Sequence, residues 1–315
     1  MMRRFLAILA ALVLTAAWAQ NDTFLLGIVS ISPAEANNAR FIRGATEQAE
    51  EYGWRVQVID AQGAADQANS AIQNLVTRRA GAIIDMVFPT TSLGAGLVAA
   101  ERASIPVGTW GGGFGRAVVA VNGSGGPMAI PIVEQMVEDM DGAGSLLALT
   151  YHTGQVCRER EEEMDAILAN YPDIDVTKNE VRIPGYLQDG AQYAAAWLAS
   201  HPVGEESLAI WGCWDDPALG AISTMKQQGR DDVLVYGVNG NAEAILNVQD
   251  GWMTATAWQQ SYEEGKLLVA TLKEASDAMD AGETFEPVSV EIPAIVVNAD
   301  NVDAFIEEHP ETVGN

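Results

Sequence analysis

Between Ile210 and Ala221 the chain reads Ile-Trp-Gly-Cys-Trp-Asp-Asp-Pro-Ala-Leu-Gly-Ala, which sets Trp214, Asp215 and Asp216 side by side just ahead of a helix start. A flat ring beside bidentate acceptors suits a ligand with hydroxyls on its edge and C–H groups on its faces. The same residue types recur wherever a short apolar run ends: Glu35 and Asn38, then Trp110, Arg158, Tyr186, Asn239 and Gln259. Trp110, Tyr186 and Trp214 supply rings. Glu35, Asn38, Arg158, Asp215, Asn239 and Gln259 supply polar contacts. Together they fit a small neutral polyhydroxy ligand, a pentose, a hexose or a polyol.

Simpler roles compete at several of these positions. Trp211 reads as core cover, whereas Trp214, three residues on and beside Asp215, reads as cleft. Asp216 is expected to cap the helix that Pro217 opens, since an acid just before a proline is a helix-start signal. Arg158 heads the charged run Arg158 to Glu163 and serves equally well as a solvated charge.

The elements that must position these residues show in the rhythm of the chain. Apolar runs such as Phe24–Val29, Trp54–Ile59 and Ala82–Phe88 alternate with helical patterns at 38–52, 67–79 and 93–103. The rhythm restarts after the glycine-rich stretch 111–115 and continues to strand 254–257. That alternation predicts an α/β fold with two parallel-sheet lobes in series, completed by a helix over 262–281 and the segment 288–297. In open parallel sheets ligands bind beyond the carboxyl ends of the strands, and the candidates above all fall there. Asp173 to Asn179 is read as a solvated turn, because a calcium loop would need a mid-loop glycine and a final glutamate.

The amino terminus has the three-part layout of an export signal: Arg3 and Arg4, an apolar run to about Ala17, and a small-x-small site at Ala17-Trp18-Ala19. Residues 1–19 are therefore expected to be a cleaved signal peptide, leaving the mature protein free in a periplasm, and no later segment is long enough to span a membrane. A formal net charge of −26 repels phosphate backbones, which tells against nucleic-acid partners. Catalytic signatures are missing: there is no nucleophile elbow, no zinc-protease helix and no phosphate loop. His152, His201 and His309 lie on separate segments without ligand spacing, so neither a metal nor a cofactor is expected.

The chain resembles the periplasmic sugar-binding proteins of the ribose and galactose type, solute-binding components of ABC importers. Gly27-Ile-Val-Ser30, Phe41-Ile-Arg-Gly44, Val58-Ile-Asp-Ala-Gln62, Asp85 to Thr90, Cys157-Arg-Glu-Arg160, Asp215 to Ala221 and Val235 to Gly240 carry the resemblance through their order and spacing. It implies a type I binding protein of two doubly wound lobes joined by three hinge crossings, 20–122 with 260–290 and 123–259 with 291–315. It further implies a monomer that delivers its ligand to a permease in the inner membrane. Arg158 matches the arginine that holds sugar hydroxyls, Asn239 replaces an aspartate, Gln259 matches a hinge-side glutamine, and Tyr186 falls where an aromatic closes the pocket. Trp214 with Asp215 occupies the place of an Asn-Asp pair, and Trp110-Gly111 falls where ribose binders have Asp-Arg. The Asn-Pro-Phe-Phe segment of the family is replaced by Ser32-Pro-Ala-Glu-Ala-Asn-Asn38. These departures leave the particular sugar open. A ligand-presenting sensor on the same fold, or a carbohydrate enzyme using Glu35 and Asp215 as paired carboxylates, are the alternatives.

Cys157 and Cys213 follow two strands expected to lie side by side, in a compartment where disulfides persist. A bond and a pair of packed thiols are both open from sequence.

Overall fold

A computed structural model describes residues 23–123, 125–204 and 206–314. The expected signal peptide, residues 1–19, lies outside the described residues. In the first sheet β1 (Leu25–Ser30), β2 (Arg55–Asp60), β3 (Ala82–Met86), β4 (Val107–Trp110) and β5 (Val118–Asn122) run parallel in the order β2-β1-β3-β4-β5. The second sheet repeats that order with β6 (Gly144–Thr150), β7 (Ile174–Glu180), β8 (Leu208–Gly212), β9 (Val233–Asn239) and β10 (Ala255–Trp258), as β7-β6-β8-β9-β10. β11 (Val288–Val290) joins the first sheet beside β5, and β12 (Ile295–Asn298) joins the second, antiparallel to β10.

Helices connect the strands: α1 (Ala36–Glu51), α2 (Ala65–Thr77) and α3 (Gly94–Arg102) in the first lobe; α4 (Gly126–Asp139), α5 (Gln155–Leu168), α6 (Tyr186–Leu198), α7 (Asp215–Gln228) and α8 (Ala242–Gln249) in the second. The chain passes between the sheets after β5, after β10 and between β11 and β12. α9 (Ser261–Asp280) returns to pack on α1, and α10 (Val302–Glu308) closes the second lobe.

Burial explains the strand sequences. β1, β3 and β8 are buried at every residue, as inner strands covered on both faces must be, and they read as mostly apolar runs, with Ser30 ending β1 and the buried Asp85 inside β3. β7 is an edge strand with Asp175, Thr177, Lys178 and Glu180 outside the core. Its polarity is what makes 173–179 look like a solvated turn in sequence, yet it pairs with β6 from Gly144↔Ile174 to Thr150↔Glu180. Charged side chains on an edge strand blunt unwanted pairing and need not signal a loop.

Helix starts also differ from the pattern-based expectation. α7 begins at Asp215, its cap is Trp214, and no side chain caps it. Asp216 therefore sits inside the first turn, where a carboxylate complements the helix dipole, and is not the cap. α5 begins at Gln155, three residues before Arg158, which shifts which of its residues face inward.

Glycine sets the closest helix contacts in both lobes. A Cβ on Gly44 of α1 would lie 1.9 Å from the Tyr262 carbonyl oxygen of α9, and one on Gly265 of α9 would lie 2.3 Å from the Phe41 oxygen. In the second lobe, Gly190 of α6 approaches the Pro217 oxygen and Gly220 of α7 approaches the Leu187 oxygen in the same way, at 2.1 and 2.2 Å. Backbone cannot yield as a side chain can, so Gly44→Ala and Gly220→Ala are each expected to cost about 1–3 kcal/mol through overpacking. Gly94→Ala, with nothing within 4 Å of its Cβ, should stay within about 0.5 kcal/mol of the parent. Urea denaturation of the three variants checks this; equal midpoints would show that α1 and α9 can separate freely.

Candidate functional site

Both sheets turn their carboxyl ends to one crevice, and the strand order reverses in each between the first and third strands. The cavity forms where those two switch points meet. From the first lobe come Ile31, Glu35, Asn37 and Asn38 beyond β1, Val87 beyond β3, and Trp110 with Gly111 at the end of β4. From the second come Tyr151, Cys157 and Arg160 beyond β6, Trp214 beyond β8, and Asn239 at the end of β9, with Gln259 at the hinge. The lobes touch beside it, leaving a partly open cavity of about 50 Å³.

The first-lobe wall starts at Glu35, whose side chain caps α1 by accepting from the backbone N–H of Asn37 at 3.1 Å and of Asn38 at 2.8 Å. That cap turns Asn37 and Asn38 inward. Asn37 Nδ2 donates to Gln259 Oε1 at 2.8 Å, and Gln259 Nε2 donates to Glu264 Oε2 at 2.8 Å. The same Glu264 oxygen accepts from Trp110 Nε1 at 2.7 Å, while the Trp110 ring stacks on Phe41 at 4.7 Å. Burial pushes Glu264 up to about 7, against the two hydrogen bonds that favour its charged form. Trp110 is thereby held from its edge and from one face.

The second-lobe wall is aromatic and basic. Trp214 is met edge-on by Tyr151 at 5.9 Å and by Tyr186 at 5.6 Å, and its Nε1 donates to Asp216 Oδ2 at 3.1 Å. Arg160 is buried at 2 % exposure and donates from Nη1 to the Cys213 carbonyl oxygen at 2.6 Å. Among the described residues its Nε, and Oδ1 of Asn239, have no hydrogen-bond partner. A buried polar atom left unpaired costs about 1–3 kcal/mol.

Glu35, Asn38, Trp110, Trp214, Asn239 and Gln259 thus come together at the cavity. Three expected positions do not line it. Arg158 turns away, donating to the His152 carbonyl oxygen at 2.8 Å and to Gln155 Oε1. Helix phase is the reason: Cys157 and Arg160, three apart, share the inward face of α5, and Arg158 is rotated off it. Asp215 is fully buried behind the wall, accepting from Asn241 N at 2.7 Å and Thr256 Oγ1 at 2.6 Å, so it holds β8, β9 and β10 together instead of meeting hydroxyls. Tyr186 opens α6 and supports Trp214 from behind. Asn37 and Tyr151 fall in the strand-end segments Ser30 to Asn38 and Tyr151 to Arg158 without being singled out there, and Arg160 lies beyond them; its i,i+3 relation to Cys157 was the available signal.

A periplasmic binding protein domain model matches residues 28–280. The chain belongs to that family. The chain is also 28% identical over 309 residues to the ribose import binding protein of Haemophilus influenzae, covering 91% of this chain and 96% of that protein. It is 28% identical over 244 residues to a xylitol-binding protein of Mycolicibacterium smegmatis, covering 76% and 67% respectively. The crystal structure of an ABC sugar transporter subunit from Rhodobacter sphaeroides superposes with a TM-score of 0.78 at 27% identity, over 88% of this chain and 99% of that one. The two-lobe type I architecture expected from sequence therefore holds, and the family is one of periplasmic binding proteins, not of enzymes.

In this binding protein two carboxyls oppose each other across the lobes. Asp216 in α7 faces Glu35 at the head of α1, and their like charges disfavour ionising Asp216 in this buried seam. Burial first, then Glu35 and Asp215, push Asp216 up to about 8. Facing it are Glu35 and Arg40 from α1, Asp215 from its own turn, and the Tyr186 hydroxyl from α6. With the cleft open the same carboxyl faces water and returns to the ordinary range near ~4. Closing therefore takes up a proton between about pH 4 and about pH 8, so closure is favoured at the acid end and weakens by up to about tenfold per pH unit as pH rises to 8. Small-angle scattering of the ligand-free protein should show a radius of gyration that grows from about pH 5.5 to about pH 8.5. In Asp216→Asn, whose amide donates without a titrating proton, the growth should vanish; an identical trend in the variant would place the proton elsewhere.

Proposed function

We propose that this protein captures a monosaccharide or sugar alcohol between its lobes and delivers it to the permease of an ABC importer. The observation that carries the reading is the pair of buried, unpartnered polar atoms, Arg160 Nε and Asn239 Oδ1, on a cavity walled by Trp110 and Trp214. Donor, acceptor and flat apolar surface at close quarters answer the hydroxyls and C–H faces of a polyol. Glu35 and Arg160 supply one formal charge of each sign to the lining, which suits a neutral ligand. The relatives named for ribose and xylitol, and the sugar-transporter subunit of like fold, support the same class.

Within that class the cavity favours slender molecules. About 50 Å³ accommodates only a few water-sized centres, since each needs about 10–15 Å³. An extended sugar alcohol requires less widening than a pyranose ring. The two bodies that close on it are 20–122 with 260–290, and 123–259 with 291–315. Residues 1–19 serve as the cleaved export signal, and the mature chain acts as a monomer whose acidity, −26 overall for the full chain, keeps it from nucleic acid.

A thermal-shift screen of pentoses, hexoses and sugar alcohols is expected to return ligands that raise the melting temperature and compact the protein in scattering. For such a ligand Arg160→Ala and Asn239→Ala should each weaken binding by about 1–3 kcal/mol, roughly ten- to hundredfold, because each leaves a hydroxyl unpaired in a closed cleft. Arg158→Ala should bind as the parent does. A screen with no hit, or alanine variants of undiminished affinity, would overturn the assignment.

A further inference from the structure

Beneath the ligand-facing groups the second-lobe wall carries two sulfurs. β6 and β8 are neighbours with Leu149 opposite Gly212, so the residues that follow them are brought to the same end of the sheet. Cys213 follows β8 directly, its N–H donating to the Leu149 oxygen at 3.0 Å, and is 0 % exposed. Cys157 is the third residue of α5, is 4 % exposed and lines the cavity. The two residues are 56 apart in the chain, yet their Sγ atoms lie 2.7 Å from each other, the Cys213 thiol donating to Cys157. Both are thiols in this structure.

We propose that Cys157 and Cys213 are a disulfide-forming site, with Cys157 as the attacking thiol and Cys213 as the resolving one. The roles follow from position. Cys157 borders the cavity and so is the first of the pair that an oxidant meets when the lobes part. Cys213 is fully enclosed, and burial pushes its thiol up, so it stays protonated until its neighbour is activated. In the first step the Cys157 thiolate attacks one sulfur of an external disulfide, forming a mixed disulfide and expelling one thiolate. In the second, Cys213 gives up its proton and attacks Cys157 Sγ; the second thiolate leaves. Two thiols have lost two electrons and two protons, and one external disulfide has become two thiols.

The bond reaches the ligand site through Arg160. That side chain rises one turn beyond Cys157 and is anchored on the Cys213 carbonyl oxygen. Joining the two cysteines ties the start of α5 to the β8–α7 turn, so the backbone that carries Arg160 and the carbonyl that orients it become one covalent unit. An arginine held in place before the ligand arrives loses less freedom on binding. The inference does not depend on which ligand the cavity takes.

The test uses the whole mature protein. After reduction by dithiothreitol and its removal, the folded protein is exposed to oxidised glutathione, then denatured and alkylated, and its thiols are counted by mass. Wild type should show no free thiol, a loss of two hydrogens and no glutathione adduct. It should also melt about 5 °C above its reduced form, since a long loop is closed. Cys213→Ser should accumulate one glutathione on Cys157, with nothing to resolve it. Cys157→Ser should remain unmodified, its remaining thiol being enclosed. Two free thiols in wild type that still melts cooperatively would overturn the site. Glutathione on Cys157→Ser as fast as on Cys213→Ser would overturn the roles.

Discussion

Arg40 leaves α1 of the first lobe and places its guanidinium on the second. Nη1 donates to the Gly240 oxygen at 2.7 Å; Nη2 donates to the Asn239 oxygen at 2.6 Å and to Asn37 Oδ1 at 2.8 Å. Desolvation lowers its pKa, while Glu35, Asp215 and Asp216 oppose that shift. A buried cation needs a compensating negative charge, and three carboxyls surround this one. If all three were ionised the seam would hold two charges in excess. Burial raises Asp216 to about 8 and Asp215 to about 7, which discourages both from carrying a charge there. Charge balance around one guanidinium thus accounts both for the contact between lobes and for its sensitivity to pH.

The same arginine prepares the ligand site. Asn239 has φ of 118°, a conformation costly for any residue but glycine, and Arg40 holds its carbonyl while its side-chain Oδ1 has no partner among the described residues. Asn37, which Arg40 also engages, passes the constraint through Gln259 to Glu264 and so to Trp110. A ring fixed by its indole N–H and stacked on Phe41 presents a surface that needs little ordering when a ligand arrives. The aromatic and polar contacts of the first lobe are therefore one connected assembly.

Much of this was legible in the amino-acid sequence, because the rule that ligands gather beyond parallel strands depends only on finding strand ends. Inner strands such as β1, β3 and β8 are mostly apolar runs, and Glu35, Trp110, Trp214, Asn239 and Gln259 were located by following them. What resisted was rotation and long-range pairing. Arg158 and Arg160 differ by about 200° around a helix, so an error of three residues in the start of α5 exchanges the solvated arginine for the buried one. Asp215 looked like a ligand acceptor because its partners, Asn241 and Thr256, lie 26 and 41 residues away and nothing local announces them. Asp173 to Asn179 resembles a turn because an edge strand has little to bury.

Strain completes the account of closure. Val87, a β-branched residue, has φ of 78°, and its carbonyl accepts from Gln155 N of the opposite lobe at 2.9 Å. Asn239, equally strained, gives its carbonyl to Arg40 of the opposite lobe. Each lobe thus offers the other a carbonyl carried on an unfavourable backbone, and each such residue costs about 1–3 kcal/mol. Each cross-lobe hydrogen bond contributes about 0.5–1.5 kcal/mol, or up to about 3 when charged. A ligand shifts such a pair of lobes only by its differential affinity for the closed form, so groups drawn from both lobes are the ones through which closure can be favoured.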